Sequence, residues 1–274
     1  MNSLVRRTVL ASILLTPLAG ALSAQSRDQP SLAFTISGGL NAGGDLWQVD
    51  KQVLRSTTGG QDTATVNRRL RPGLTATLGM SYFQSPHFGW NAEIAFYGLG
   101  TEQDCRGPAV YSDAFNQKVC TSASGGHIGS NLISFQGGGT WRLGDPDKVT
   151  PYVRANLGVA FIGNSFVETS TFIQDPACTT ADNVCEVKII TERNPRTFTW
   201  TTSLAIGVSM PIGSGYRFRM EGRDLITALP VIDSPALIGV NSQPVSDSHM
   251  KLKNIPIFTF GFDVLLERSH ARRY

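Results

Sequence analysis

Beyond Ala24 the sequence has no apolar run long enough for a transmembrane helix, which needs about 20 residues, and it is poor in charge. Only 16% of its 274 residues are charged, and 24 Lys and Arg against 21 Asp and Glu leave a formal net charge of +3. This balance excludes the strongly basic surface typical of nucleic-acid-binding domains, so no nucleic-acid partner is expected. Sustained helical periodicity is also absent after Ala24, so we expect no helix there.

The first residues have the three parts of a secretory signal peptide. A basic start with Arg6 and Arg7 precedes a short apolar run at 8–21 and small residues around Ala24, in the order typical of export signals. We expect cleavage near Ala24, which leaves 250 residues (274 minus 24) and, without Arg6 and Arg7, a net charge of +1. Residues 1–24 are then the signal peptide and 25–30 a short periplasmic lead.

Cysteine is scarce but even in number. Cys105 and Cys120 lie in one polar segment, and Cys178 and Cys185 in another. In an exported chain this favours disulfides, and the rival zinc site is weak because the spacings are not CxxC and the four histidines are scattered. Of the possible pairings we expect the local one, Cys105 with Cys120 and Cys178 with Cys185. No metal and no cofactor are expected.

What the sequence has in abundance is alternation of apolar and small polar residues. In 198–210, FTWTTSLAIGVSM, the even positions are mostly apolar and the odd positions are small or polar. Because successive strand residues point to opposite faces, one face of this strand is apolar. A membrane barrel turns such a face toward lipid. The residues expected to face lipid, here and on the last strand, are Phe198, Trp200, Leu204, Ile206, Val208, Phe258, Phe260 and Phe262.

Long polar segments and short turns alternate along the chain. An outer-membrane barrel has short turns on one side and long surface loops on the other, whereas a soluble β-sandwich or lipocalin-like binding module, the non-membrane alternative, has no reason to place every long loop at one end. The sequence therefore predicts an all-β, eight-stranded antiparallel up-and-down transmembrane β-barrel over residues 31–267, followed by a basic tail at 268–274. Its strands are predicted at 32–41, 70–82, 90–99, 128–143, 152–162, 198–210, 216–226 and 255–266.

The faces opposite the apolar ones carry charged residues. An Arg or Lys that faces lipid near the midplane costs about 2–4 kcal/mol, so these side chains are expected to point into the lumen. An eight-stranded barrel is just wide enough for side chains to fill it, which favours a plugged interior held by salt bridges; a narrow, gated pathway for ions or small solutes is the alternative. The predicted lumen charges are Glu93, Arg142, Arg154, Arg217, Arg219, Glu221, Arg223 and Asp263.

Two further patterns bear on the strands. Asp224 breaks the alternation, which places it outward near the loop-side rim unless a bulge at Gly222 resets the register. Aromatic residues cluster near strand ends, with Phe83, Tyr152 and others beside the short turns. We interpret them as part of two interfacial girdles.

A catalytic site is not indicated. Asp247, Ser248 and His249 supply the residue types of a lipid-modifying hydrolase, but a triad is recognised by its geometry, and three adjacent residues point in different directions. No nucleophile elbow accompanies them. We therefore expect a non-enzymatic protein without catalytic residues.

The eight-strand plan, with residues 151–159 (PYVRANLGV) and 216–223 (YRFRMEGR), resembles the small outer-membrane β-barrels of the OmpA/OmpX type over about residues 30–266. The resemblance implies a monomer in the outer membrane of a Gram-negative envelope. It implies as partners the outer-membrane lipid and lipopolysaccharide, the barrel-assembly machinery, and an extracellular ligand or surface bound by four long loops. The role is then envelope structure or surface interaction. Family members end on an aromatic assembly signal, for which Phe262 and Tyr274 are both candidates.

Overall fold

The computed structural model describes residues 31–55, 60–176, 178, 182–238 and 244–266. The expected signal peptide, the lead at 25–30 and the tail at 268–274 with Tyr274 lie outside these described residues. In chain order the elements are β1 (Ser31–Asn41), β2 (Gly44–Arg55), β3 (Gln61–Leu70), β4 (Gly73–Phe83), β5 (Phe88–Gly98), β6 (Thr101–Arg106), α1 (Ala114–Ala123), β7 (His127–Ile128), β8 (Asn131–Arg142), β9 (Thr150–Ile162), β10 (Thr169–Gln174), β11 (Val184–Glu192), β12 (Phe198–Gly213), β13 (Tyr216–Val231), β14 (Leu237–Ile238), β15 (Pro244–Ser246) and β16 (His249–Leu266).

Eight of these strands close into a barrel in the order β1-β16-β13-β12-β9-β8-β5-β4. Each neighbouring pair is antiparallel, and the pairing from Leu32↔Leu266 to Asn41↔Ile257 closes the circle between first and last strand. Closure gives every barrel strand two hydrogen-bonded neighbours, as a sheet in lipid requires, because no water is available there for unpaired backbone groups. The predicted eight-stranded up-and-down barrel is confirmed.

The connections sort by length onto the two ends of the barrel. The turns β4–β5, β8–β9 and β12–β13 are short and share the turn end with the start of β1 and the end of β16. The other four connections leave from the opposite, loop end. Predicted bounds differ mainly there: β13 and β16 extend to Val231 and His249 and pair over that whole length. The strand predicted at 70–82 begins only at Gly73, because Leu70 closes the separate strand β3.

The outer face of the barrel is apolar. Of the eight side chains expected to face lipid, seven are more than 40% exposed, and Val208 is half-buried. Exposing such a surface to water costs about 25 cal/mol per Å², so the band is suited to a hydrocarbon environment. The exposed members are Phe198, Trp200, Leu204, Ile206, Phe258, Phe260 and Phe262.

The long connections, expected to be polar loops, are largely folded. Strands β2, β3, β6 and β7 form one four-stranded sheet, and β10, β11, β15 and β14 form a second. Together with α1 we call these elements the loop body. Each sheet combines strands from two different connections, and the pairings that join them, β3 with β6 and β11 with β15, bring together residues far apart in the sequence. Alternation within one connection does not reveal such partners.

The expectation that no helix follows Ala24 is wrong. Helix α1 begins after Asp113, whose Oδ1 accepts a hydrogen bond from the backbone N–H of Phe115 at 2.8 Å, a standard N-cap contact. Its buried stripe contains Asn116, Val119, Cys120 and Ala123. The polar Asn116 interrupts the stripe, so hydrophobic periodicity does not show this helix. Within the described parts of the chain, no helix is long and apolar enough to cross a bilayer.

Ile206 offers a test of the lipid-facing surface. It lies midway along β12 and is 69% exposed, so Ile206→Arg should destabilise the folded barrel in lipid vesicles by about 2–4 kcal/mol. Unfolding in urea is detected on a gel without heating, where unfolded protein migrates more slowly. The measured quantity is the shift of the urea midpoint. The matched control is Ile212→Arg beside the β12–β13 turn, also exposed at 59%, where about 0–1 kcal/mol is expected. Equal shifts for the two variants would contradict the outward, mid-membrane placement of Ile206.

Candidate functional site

The barrel interior holds the strongest concentration of charge in the described chain. All eight predicted lumen charges point inward, and none is more than 7% exposed. Six of them form one connected network, whose members are Glu93, Arg154, Arg219, Glu221, Arg223 and Asp263.

Arg223 lies at the centre of this network. Its guanidinium donates to both carboxylate oxygens of Glu93, with Nη2 2.9 Å from Oε2, and Nη2 lies 2.7 Å from Oε1 of Glu221. Arg154 Nη1 approaches the same two carboxylates, at 3.1 Å from Glu93 and 3.7 Å from Glu221. Each carboxylate therefore has more than one guanidinium partner. Such multiple pairing is what offsets the large cost of removing charges from water.

Tyr152 extends the network toward the turn end. Its hydroxyl donates to Glu221 Oε2 at 2.8 Å and accepts from Arg219 Nε at 2.6 Å. Arg219 Nη1 in turn lies 3.4 Å from Asp263 Oδ1, which also accepts from the Thr35 hydroxyl at 2.7 Å. Tyr152 is an interior residue that was not predicted, although it shares the face of β9 that carries Arg154.

The assignment of Tyr152 and Phe83 to an interfacial girdle is therefore wrong. Their exposed fractions are 3% and 5%, because both stand at inward-pointing positions of their strands. Position near a strand end suggested an interface, whereas strand parity decides which side of the wall a ring occupies.

The remaining two charges lie apart from the network, at the turn end. Arg217 donates through Nε to Ser209 Oγ at 2.8 Å, and its guanidinium also reaches the carbonyl oxygens of Pro146 and Lys148 in the β8–β9 turn. Arg142 has its guanidinium carbon 3.4 Å from the centre of the Phe83 ring, a cation–π contact. The backbone of the turn and an aromatic face thus stabilise the two arginines, and the nearby Asp263 carboxylate attracts both of them.

Above the charges the interior is mainly apolar. Apolar inward side chains at the loop end are at most 4% exposed and join the core of the loop body in one cluster, with buried polar groups such as Thr75, Thr199 and Thr227 among them. Lower down, two voids beside the charges measure about 10 Å³ each, which is room for about one water molecule. The lumen is therefore filled by charged groups below and by an apolar plug above. The plug consists of Tyr97, Leu132, Leu225, Leu229, Ile255 and Ile257.

The loop body is tied together by contacts between different connections. Trp47 Nε1 donates to the Phe166 carbonyl at 2.9 Å, and Gln52 accepts from the Ala236 N–H at 2.8 Å. Gln103 Nε2 donates to the Ser170 carbonyl at 3.1 Å. All four connections are thereby linked.

Two disulfides staple the loop body, and both are local. Cys105 of β6 is bonded to Cys120 of α1, and Cys178 to Cys185 of β11. Each bond closes a loop within a single connection and restricts the unfolded chain more than the folded one. The two sides of the loop body that carry these bonds are also joined by Lys118 Nζ and Asp175 Oδ2 at 2.7 Å.

One arginine is buried inside the loop body. Arg68 is fully buried, donates from Nη2 to Gln103 Oε1 at 3.2 Å and lies near the Trp47 ring. Burial lowers its pKa to about 10, and nearby Glu168 opposes that shift. The guanidinium therefore stays charged at neutral pH and makes the packing of β3 against its neighbours sensitive to substitution.

A polar groove opens between α1 and β10. Its volume is about 360 Å³, which is within the usual range for a small-molecule site. Its walls carry amides, hydroxyls and one ammonium group, and the two disulfides brace the elements on either side. The lining residues are Gln117, Lys118, Thr121, Ser122, Ile173 and Gln174.

The residues weighed as a hydrolase triad are not assembled into one. The Ser248 hydroxyl donates to Glu192 Oε1 at 2.5 Å, whereas His249 Nε2 lies 3.2 Å from Asp233 Oδ2 and Asp247 pairs with Arg193. Serine and histidine thus have different carboxylate partners. Within the described ranges no group of three or more His, Cys, Asp or Glu side chains is placed to hold a metal ion.

Asp224 faces outward, as strand alternation places it. The pairing of β13 with β12 and β16 passes Gly222 without a register shift, so the alternative of a bulge there is wrong. Asn254 Nδ2 donates to Asp224 Oδ2 at 3.2 Å. That hydrogen bond partly offsets the cost of placing a carboxylate near the loop end of the apolar outer surface of the barrel.

The comparisons with known proteins gave structural similarities only. No family model matches the chain, and no curated protein does. Neisserial surface protein A is 8% identical with a TM-score of 0.40, covering 86% of this chain and 98% of its own. The outer membrane protein OprG from Pseudomonas aeruginosa is 10% identical with a TM-score of 0.39, covering 86% and 96%. The attachment invasion locus protein Ail of Yersinia pestis is 9% identical with a TM-score of 0.32, covering 86% and 99%. These similarities are too low to assign a role to this chain.

Removal of one carboxylate tests how much the interior network contributes to the free energy of unfolding. Glu93→Ala leaves Arg154 and Arg223 with a share of Glu221 only, so the free energy of unfolding should fall by about 3–5 kcal/mol, as for other broken buried pairs. Urea midpoints in lipid vesicles measure the change. The control Asp104→Ala breaks the exposed pair with Arg106 and should cost less than about 1 kcal/mol. A Glu93 variant as stable as this control would show that the network adds nothing.

A second prediction concerns acid. Asp62 Oδ1 accepts from the Ser112 N–H at 2.8 Å and Oδ2 from Asn116 Nδ2 at 2.9 Å, which links β3 to α1. The hydrogen bond from Ser112, above all, lowers the pKa of Asp62 below its usual 3.8, against the opposing effect of burial. The contact is therefore present above about pH 4 and is lost as the pH falls further, through the lowered pKa. The protection factors of the amides at residues 112–116, which compare measured exchange with the intrinsic rate at the same pH, should fall in that window, and Asp62→Asn should lower them already at neutral pH; protection factors without any pH step would contradict the assignment.

Proposed function

We propose that the chain is a non-enzymatic protein of the bacterial outer membrane, exported by its signal peptide. In this proposal the barrel is a closed membrane anchor, and the loop body contacts other molecules outside the cell. The observation that carries this proposal is the filled lumen. Salt-bridged charges occupy its lower part and an apolar plug its upper part. Because the lumen is filled in this way, another molecule can be bound only at the outer surfaces of the protein.

The loop body is suited to contact with another molecule because it is ordered in advance. Its two sheets, two disulfides and shared core reduce the conformational entropy that binding would otherwise cost. We expect an extracellular ligand or surface to bind at the groove between α1 and β10 and at Phe172, whose side chain is 69% exposed. A role in surface interaction fits this arrangement better than a purely structural role in the envelope.

The remaining partners follow from the membrane location. Lipid and lipopolysaccharide contact the apolar band, and the barrel-assembly machinery inserts the chain, with the outward Phe262 of β16 as the aromatic signal within the described residues. A closed barrel without unpaired strands needs no second copy, so we expect a monomer.

Planar bilayer recordings test the closed lumen. The full mature protein, inserted from detergent, should give no discrete conductance steps under conditions in which a porin does. Heat-modifiable migration of the same preparation on a gel controls for folding. Reproducible steps from folded protein would support the gated pathway instead and would refute the closed anchor.

Proteolysis of intact cells tests the rigid loop body. The wild-type protein should resist added trypsin at 101–128, and the double variant Cys105→Ser/Cys120→Ser should be cut there because α1 is no longer held to β6. The barrel of that variant should keep its heat-modifiable migration. Equal resistance of the two proteins would show that the disulfide is not needed to order this surface, and cleavage of both would contradict a rigid body.

A further inference from the structure

One carboxylate stands on the otherwise uncharged outer face of the barrel. Successive residues of a strand point to opposite faces, and Asp224 is the only Asp, Glu, Lys or Arg at an outward position of the eight described barrel strands. A charged side chain on the lipid-facing surface of a barrel is destabilising. An ionisable side chain at such a position therefore indicates a function, and the question is which group pairs with it.

The protein itself satisfies Asp224 only in part. Asn254 Nδ2 donates to Oδ2 at 3.2 Å, whereas Oδ1 has no hydrogen-bond partner among the described residues. An ionised carboxylate can accept about four hydrogen bonds, so this one has capacity for a donor from another molecule. Because the described outer face carries no basic side chain, that donor would also have to supply the neutralising positive charge.

Asp224 lines an apolar groove in the outer wall of the barrel. The groove has a volume of about 800 Å³, which is within the usual range for a ligand site. At about 4.8 Å per strand spacing, the row of lining residues from β8 to β13 is about 14 Å long. One outward residue from each of the four neighbouring strands β8, β9, β12 and β13 forms this row, namely Gly139, Ala155, Leu204 and Asp224.

The groove is open because its lining includes several small residues. Gly139, Ala155 and Gly222 have no side chain or a single methyl group, whereas Trp141 and Ile206 beside them are large and apolar. A long, narrow hollow of this kind fits one hydrocarbon chain. The flat surface of another protein would bridge the hollow and leave it unfilled.

The carboxylate sets the chemistry of the other end of the occupant. A primary ammonium group carries one positive charge and three N–H donors, so its pair with Asp224 is neutral and hydrogen-bonded, as a charge in an apolar setting requires. A phosphate or carboxylate in the head group would instead place a second negative charge beside Asp224, which is unfavourable.

We propose that this groove is a binding site for a long-chain primary amine, with the ammonium group on Asp224 and the chain lying over Ala155 toward Gly139 and Trp141. The site lies on the barrel wall, apart from the loop body, so the inference goes beyond the proposed contact with extracellular partners. Trp141 is one residue from the end of β8 at the turn end, so the bound chain points from the loop end toward the turn end.

The test uses the full mature protein folded in phosphatidylcholine vesicles, with Trp90→Phe/Trp200→Phe as background. Trp90 and Trp200 are outward and 54% and 45% exposed, and their replacement leaves Trp141 to report on the groove, because Trp47 is buried in the loop body. Hexadecylamine with two bromine atoms on its chain quenches the fluorescence of a tryptophan that it contacts. The measured quantity is the mole fraction of amine in the vesicles that gives half of the full quenching at pH 7.

Two brominated analogues with the same chain separate the contributions of the head group. The alcohol has no charge, and the trimethylammonium compound has a charge but no N–H donor. Each should need at least about tenfold more ligand for half quenching than the primary amine, because each lacks the charge-assisted hydrogen bond.

Two variants test the two ends of the site. Asp224→Asn should raise the half-quenching mole fraction of the amine at least about tenfold, to the level of the alcohol, and Ala155→Phe should abolish saturable quenching because its ring fills the groove. The matched controls are Asp104→Asn, which removes a carboxylate from the loop body, and Ala92→Phe, which adds the same ring at an exposed outward position of β5 that does not line the groove. Both controls should bind the amine as the background protein does.

Equal values for Asp224→Asn and Asp104→Asn, or for the amine and either analogue, would overturn the assignment of a primary amine to this carboxylate. Equal values for Ala155→Phe and Ala92→Phe would overturn the groove as the place of the chain. Every variant is measured only after heat-modifiable migration shows that it is folded, and if Ala155→Phe does not fold, the comparison of Asp224→Asn with Asp104→Asn decides alone. A negative result refutes the groove and not the membrane location, which Ile206→Arg tests separately.

Discussion

Every second side chain of the eight barrel strands points into a space that side chains fill, so each charge placed there must find a partner inside the barrel. Arg223 meets this constraint by bonding Glu93 from β5 and Glu221 from its own strand. The strand register must be correct for those atoms to meet, because a slip of one residue would turn every charge toward the apolar surroundings. The network thus specifies how the sheet closes as well as contributing to its stability.

The same constraint explains why the barrel could be predicted from sequence. In β12 the alternation is local and nearly perfect, and strand parity alone predicts that Arg154 and Arg219 point inside. The loop body could not be predicted in this way. Its sheets pair strands from different connections, as where β11 and β15 run in parallel, and the stripe of α1 contains Asn116. Tyr152 shows a third limit, because two rules, parity and aromatic position, gave opposite answers and only packing decided between them.

Barrel and loop body form one continuous hydrophobic core. Leu132 and Leu225 inside the barrel belong to the same buried cluster as Val66 and Ile190 in the two sheets above. The plug is therefore shared by the wall and by the folded connections, and neither part can loosen without exposing apolar surface of the other. This continuity connects the closed lumen to the rigidity of the surface that we propose as the working part.

The local disulfides have a consequence for biogenesis. Cys105–Cys120 and Cys178–Cys185 are each closed by a short stretch of chain, with sequence separations of 15 and 7, so oxidation requires no residue from elsewhere in the protein. On the export that we propose, these thiols would meet oxidants in the periplasm before the connections cross the outer membrane. The chain would then cross with two cross-linked loops already formed, so the passage would have to be wider than a single extended strand.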